Sequence, residues 1–279
     1  MFRGFYTAGS GMIAQQRRTE MLANNLANAN TPGFKAEQSS IRSFPEMYLS
    51  SINTTKIPIK DGLQLKGLSP VGALSTGVYM QETLPLFTQG QIRETELTTD
   101  VALMDGLLPI DNETGTRGAV FFRLENDNGG EHYTRNGSFT LDPSGYLTNA
   151  LGYYVLDNTG QRIALQNDDI RITQEGVIMD GENAVATLGI SFAQRPDTLL
   201  KQGNGMFVAE GGENLQDANA VAGVTYSMQQ GYLEGSNVDA AQAMTDMMTA
   251  YRAFEANQKI LQAYDRSMEK AVTEIGRVN

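Results

Sequence analysis

Between Val238 and Ile275 the chain contains neither proline nor glycine, and Ala, Met, Gln, Glu, Lys and Arg dominate it. Those residues lose little in a helix interior, so the stretch reads as one helix on the order of 55 Å long at about 1.5 Å per residue. Ser236, Asn237 and Asp239 offer capping groups and a carboxylate at the positive end of its dipole, and Gly276 offers a stop. Steps of three and four run from Met244 through Met247, Tyr251, Phe254, Gln258, Leu261, Asp265, Met268, Val272 and Ile275. Apolar residues at that spacing form the seam of a coiled coil and require a partner helix, and Gln258 and Asp265 interrupt the seam in a way that sets register rather than strength.

The beginning of the chain repeats the pattern more faintly, with Phe5, Ala8, Met12, Gln15, Thr19, Leu22, Leu26 and Ala29 at the same steps. Gly4, Gly9 and Gly11 each weaken this helix by about 0.5–1 kcal/mol relative to alanine, so it needs an outside contact. The helix is expected to end in "NNLANANTPGFK" (24–35), where Pro32 pushes Thr31 out of helical geometry and Gly33 supplies a turn. A helix stop does not account for Asn24 and Asn25. An amide on the helix surface at those positions is suited to bonding neighbouring backbone or other amides.

The middle is punctuated differently. "YTRNGSFTLDPSGYLTNALGYYVLDNTGQRIAL" places short Tyr, Phe, Thr, Val and Leu runs between turn signals, as a β-meander does, and Asn136-Gly137 is its strongest hairpin signal. Further strands are expected at 170–179, 184–193 and 205–209. Residues 36–80, with Pro45, Pro58 and Pro70 and no sustained period, read as an extended arm or irregular subdomain. The expected class is therefore α+β, with N- and C-terminal coiled-coil-type helices flanking an inserted all-β domain. Its segments are 1–35 (helix and turn), 36–80 (arm or linker), 81–235 (β domain) and 236–279 (helix).

Composition removes several chemistries. There is no Cys and a single His, which excludes disulfides, thiol nucleophiles and cysteine-bearing zinc sites. The net charge of −11 is concentrated in residues 36–237, which carry −13, whereas residues 1–35 carry +3. A middle of that sign repels phosphate backbones, so no nucleic-acid partner is expected. No apolar run is long enough for a membrane span, and the interrupted N-terminal stretch does not read as a secretory signal.

His132 in "GEHYTRNG" reads as an ordinary strand or loop residue, and no phosphate-binding loop, serine elbow or dinucleotide fingerprint is present. The acidic loops at 111–115, 125–130 and 166–169 lack the spaced ligands of a calcium loop. No cofactor or metal is expected. The enzymatic alternative is an exported hydrolase acting on peptidoglycan through Glu94 and Glu96, or Asp168 and Asp169.

Three segments carry a family resemblance. "SGMIAQQRRTEMLANNLANANTPGFK" (10–35), "YTRNGSFTLDPSGYLTNALGYYVL" (133–156) and "QGYLEGSNVDAAQAMTDMMTAYRAFEANQKILQAYDRSM" (230–268) resemble the three signatures of the axial proteins of the bacterial flagellar rod and hook. They cover about a third of the chain, in order. The resemblance implies a non-enzymatic subunit of the basal body, exported unfolded through the flagellar type III apparatus. In such a subunit the terminal helices pack with copies of itself and with neighbouring rod and hook axial proteins into a tube that transmits torque for motility, and the β domains face outward. It also implies that the assembly interface includes Leu22, Asn24, Asn25, Leu26, Asn28, Met244, Met247, Tyr251, Phe254, Leu261 and Met268.

A single β domain leaves no room for a second large outer domain, which favours rod over hook. The opening "FRGFYTAGSGMIAQQ" is more similar to the distal-rod branch, and to firmicute hook-basal body proteins near it, than to the proximal one. One departure is visible. After "TTDVAL" (98–103) the family usually continues through a Gly-rich turn into two Phe, whereas here "MDGLLPIDNETGTRGAV" precedes Phe121-Phe122, as an insertion would.

Overall fold

The computed structural model describes residues 3–56, 64–112, 114–125, 129–167, 170–181 and 183–275, with the side chains of 51–56, 64–70 and 275 outside the description. The Asp168–Asp169 pair, the stop at Gly276 and parts of the three acidic loops lie outside the described residues. The chain divides into two compact units, one of residues 1–24, 38–83 and 241–279 and the other of residues 25–37 and 84–240. The class is α+β: a helix at each end and a middle made mostly of strands.

The first unit contains helix α1 (Arg3–Ala27), most of strands β1 (Glu37–Ser43), β2 (Met47–Lys56), β3 (Gln64–Leu74) and β4 (Val78–Pro85), and helix α2 (Ala240–Lys270). A final π-helical turn, Ala271–Ile275, continues α2. The stretch read as irregular is thus two ladders, β1 with β4 and β2 with β3. Its prolines do not prevent this. Pro45 falls between strands, and Pro70 lies opposite Ser50 where the β2–β3 register shifts at Leu49/Ser50, an irregularity of the kind that admits a residue without an N–H. The link between β3 and β4 rests on α1: Val78 N–H donates to Ser10 Oγ (3.2 Å), and a side chain at Gly77 would collide with Ser10. Phe44 stacks on Tyr79 with ring centroids 5.2 Å apart.

The second unit is built on a six-stranded sheet. In spatial order it runs β15 (Leu200–Lys201), β16 (Met206–Val208), β8 (Glu131–Thr134), β7 (Ala119–Glu125), β14 (Ile190–Ala193) and β17 (Gln216–Asp217). Smaller ladders surround it: β18 (Tyr226–Gln230) on β6 (Val101–Asp105), β19 (Tyr232–Glu234) on β5 (Ile92–Glu94), β9 (Phe139–Leu141) on β10 (Leu147–Asn149), and β11 (Arg171–Ile172), β12 (Val177–Asp180) and β13 (Asn183–Thr187) together. β7 has no polar alternation because both of its faces are covered. Val120, Phe122 and Leu124 enter one apolar cluster with Val101, Leu103, Phe139, Leu147 and Ile190, while Ala119 and Phe121 enter a second with Tyr133 and Phe207.

Asn136-Gly137 does not close a hairpin. β8 pairs with β7 and β16, and β9 pairs with β10, so the dipeptide carries the chain from one ladder to another. Gly137 is required there because a Cβ would collide with the Val101 carbonyl, and the Gly137 carbonyl accepts from Val101 N–H (3.0 Å). The tight hairpin turn lies later, at Asp142–Gly145, where Gly145 has φ +84° and Asp142 Oδ1 accepts from Ser144 and Tyr146 N–H.

Phe122 is fully buried and meets Phe139 edge to face at 5.2 Å. Phe122→Ala is expected to destabilise the second unit by about 3–5 kcal/mol, read as a lower denaturation midpoint by tyrosine fluorescence. A midpoint unchanged from wild type would place the core elsewhere.

Candidate functional site

The segment after α1 is bound into the second unit at nearly every residue. Gly33 takes φ +69° and donates its N–H to the Glu234 carbonyl (2.8 Å), and any side chain there would strike the backbone of Arg135 and Asn136. Phe34 is buried, with Lys201 Nζ 4.4 Å above its ring, and Lys201 also pairs with Glu37 (2.6 Å).

Lys35 is the chemical centre of the segment. Its Nζ, with the side chain only 2% exposed, donates to Glu234 Oε1 (2.7 Å) and to the Thr88 carbonyl (2.8 Å). The other carboxylate oxygen of Glu234 accepts from Arg135 Nε (2.8 Å), and Gly90 N–H also donates to Oε1 (2.8 Å). Arg135 continues to Asp105 (2.7 Å) and to the carbonyls of Val120 and Leu103. Two cations and two carboxylates, all nearly closed to solvent, thus form one neutral cluster. Burial works against the charge on Glu234, but Arg135 and Lys35 outweigh it and hold the carboxyl below its ordinary value. Burial and the neighbouring Arg135 lower the Lys35 ammonium, and Glu234 limits the drop.

Two asparagine amides complete the attachment. Asn25, in the last turn of α1 and 4% exposed, donates Nδ2 to the Glu37 carbonyl and accepts at Oδ1 from Glu37 N–H, both at 2.9 Å. Asn237 accepts from Ala36 N–H (2.7 Å) and donates to the Leu86 and Thr88 carbonyls. Asn237, expected to cap α2, is therefore committed to the segment after α1, and Val238 N–H is met by Ser236 instead (3.3 Å). Asn25, expected at a contact between subunits, uses its amide within its own chain. Asn28 accepts from the Thr31 hydroxyl (3.2 Å), and Asn24 is exposed.

In the first unit the two helices run antiparallel: Gly4 lies beneath Tyr264 and Gly11 beneath Asn257, where a Cβ would meet the ring or the amide. The N-terminal stripe Phe5, Ala8, Met12, Gln15, Thr19, Leu22 and Leu26 is buried or half-buried throughout. On α2 the covered line is Ala243, Met247, Ala250, Phe254, Asn257, Leu261, Tyr264 and Met268. Four of the ten expected seam positions, Met247, Phe254, Leu261 and Met268, fall on that line. Met244, Tyr251, Gln258, Asp265 and Val272 point to solvent, with Met244 and Tyr251 each 54% exposed and Val272 75%, and the side chain of Ile275 lies outside the description. Met248 (48%), and on α1 Tyr6 (67%) and Ile13 (52%), add to the exposed apolar surface.

Glu94 and Glu96 are both exposed. His132 is buried with its ring edge to face on Tyr153 (5.7 Å), and neither ring nitrogen has a hydrogen-bond partner among the described residues. No described helix is long and apolar enough to cross a membrane. Residues 109–118, in the stretch where an insertion was expected, fold back on themselves, with Gly118 N–H on the Pro109 carbonyl and Asp111 N–H on that of Thr116, and Leu107 and Ile110 are exposed.

Sequence reading missed Lys35, Arg135, Glu234 and Asp105, and it gave Asn237 a different role. A signal was present: each of the three signature segments carries one member of the cluster, Lys35 in "TPGFK", Arg135 in "YTRNG" and Glu234 in "GYLEG". The family matches cover the same three regions. Residues 5–35 match the family described as flagella basal body rod protein, 116–180 the D1 domain of the flagellar hook protein FlgE/F/G family, and 229–274 the C-terminal region of the flagellar basal body rod FlgEFG proteins. The chain belongs to the family of flagellar hook-basal body and rod proteins, structural components of the flagellar basal body. It is 41% identical to the flagellar hook-basal body complex protein FlhO of Bacillus subtilis over the whole of both chains. It is 32% identical to the flagellar basal-body rod protein FlgG of Borreliella burgdorferi, over 96% of this chain and 97% of that one. To the rod protein FlgF of Caulobacter vibrioides it is 28% identical over the whole of both.

A carboxyl held below its ordinary 4.5 contributes stability that is fully present above that value and lost as pH falls through the lowered one. The second unit should therefore weaken on acidification below about pH 4.5, and Glu234→Gln should flatten part of that acid limb in a plot of melting temperature against pH. Equal acid limbs in the two proteins would mean that folding does not lower the Glu234 carboxyl. Gly33→Ala adds a left-handed alanine to a backbone collision and is expected to cost at least about 1–3 kcal/mol by denaturant titration.

Proposed function

We propose that the protein is a rod-type subunit that assembles through its two terminal helices, with coiled-coil packing, onto copies of itself and neighbouring rod or hook axial proteins. The resulting axial tube transmits motor torque. Export through the flagellar type III apparatus precedes assembly, and the β unit is the outward-facing part. The observation that carries this reading is the unsatisfied apolar surface of α2: Met244, Met248 and Tyr251, spaced by four and three residues, lie on one helix face and are each about half exposed or more. The N-terminal helix adds Tyr6 and Ile13. The boundaries 1–35, 36–80, 81–235 and 236–279 are proposed as assembly modules. The proposed interface keeps Leu22, Asn24, Leu26, Asn28, Met244, Met247, Tyr251, Phe254, Leu261 and Met268, with Asn25 acting on the chain's own Glu37.

Buried and exposed seam positions separate folding from assembly. Tyr251→Asp places a charge on an exposed face, which costs a lone subunit within about 0.5 kcal/mol, whereas the same charge in a dry helix contact costs several. The expected result is a normally folded, secreted subunit in non-motile cells. Leu261→Asp, at a half-buried position, should also loosen the monomer's helices by circular dichroism. Motile Tyr251→Asp cells would remove the exposed face from the interface.

A further inference from the structure

The charge cluster is closed by one short segment, and among the described residues that segment is the only part of it contributed from before residue 84. Without residues 33–37, Arg135, Asp105 and Glu234 would remain, two carboxylates against one guanidinium, with Glu234 Oε1 left to Gly90 N–H. Docking Lys35 restores neutrality. The same segment also brings Gly33 N–H to the Glu234 carbonyl, the Phe34 carbonyl to Asn237 N–H and Ala36 N–H to Asn237 Oδ1. Residues 33–36 and 234–237 are thereby held against each other at the two places where the chain passes between α1, the β unit and α2.

None of these partners is near in sequence. Lys35 reaches 53 residues for Thr88 and 199 for Glu234. The acceptors are fixed by strands, Glu234 by β19 on β5 and Arg135 by the turn after β8. A segment whose anchors exist only once distant strands have paired docks after them, because the loop is closed before the contact repays it. An ammonium also leaves water only for a site whose opposite charge is already in place.

We propose that residues Gly33–Glu37 are a latch that closes on the Glu234 carboxylate after the β unit has folded, making Lys35, Glu234 and Asn237 positioning residues for assembly. The latch ties the chain just after α1 to the chain just before α2, and a subunit whose β unit is unfolded lacks that tie when it meets a neighbour. The link to assembly rests on the function proposed above; the latch itself does not.

The test is amide hydrogen exchange on the full-length protein, with Glu234→Gln, Lys35→Met and the double variant. Each single change leaves the cluster with a net charge, positive or negative, and exchange at residues 33–38 is expected to rise at least about tenfold while β7 and β14 keep wild-type protection. In Glu234→Gln, Lys35–Ala36 should become a tryptic site. The double variant is neutral again, so its segment should exchange more slowly than in either single variant. Wild-type protection in both singles, additive loss in the double, or loss spread equally through β7 and β14 would each overturn the latch. Motility should fail in the singles and recover at least partly in the double. Open segments in fully motile cells would overturn the role in assembly, and Tyr251→Asp, run alongside, reports separately on whether assembly uses the helices at all.

Discussion

One buried carboxylate holds the molecule's two chain passages together. Glu234 is closed to solvent, shares its oxygens between Lys35 and Arg135, and gives its own carbonyl to Gly33. A buried ion pair is seldom a large source of net stability, because desolvation cancels much of the attraction. What it supplies is intolerance of alternatives. An apolar cluster in the same place would accept the segment in several registers, whereas four alternating charges with directional hydrogen bonds accept one. Specificity of that kind, more than additional stability, is what the cluster contributes.

The family resemblance and the geometry meet at this cluster. The three segments that resemble the axial proteins are far apart in sequence, yet each delivers one charged residue to the same buried network. A signature of this kind is a folding constraint. Gly33 illustrates it: the residue is needed both for its left-handed backbone and for the absence of a side chain against Arg135 and Asn136. Either requirement alone would favour glycine.

The legible parts of the fold were those set by local sequence. The long helix after Val238 is present because nothing in it breaks a helix, and strands follow the Tyr, Phe and Val runs of the middle. The face of that helix was legible only to within one residue. A stripe drawn through the largest apolar side chains passes through Met244, Tyr251 and Val272, but the covered line passes through Ala243, Ala250, Asn257 and Tyr264. Ala243 and Ala250 are small and Asn257 is polar, so three of those four positions carry a weak hydrophobic signal. Asn136-Gly137 misled for a related reason, since a turn dipeptide says that the chain bends and not which ladder it enters next. The roles of Lys35, Asn25 and Asn237 depend on partners up to 199 residues away, and no period or spacing encodes those.

The glycines of α1 bring the helix pair to the same point. Gly4 and Gly11 lower intrinsic helix propensity, yet each sits where the other helix places a bulky or polar side chain, Tyr264 or Asn257, against the α1 backbone. Alanine at either position would strengthen the isolated helix but would require the Tyr264 hydroxyl end or the Asn257 amide to shift. A Cβ added at Gly9 would meet nothing within 4 Å, so the pair gives no reason for that glycine. An N-terminal helix weakened at its contact positions has little tendency to hold its shape alone and acquires it on meeting α2. The latch at Lys35 and the glycines at the helix contact thus follow one logic: both parts of the N-terminal segment are poor at ordering themselves and are ordered by elements that come later in the chain.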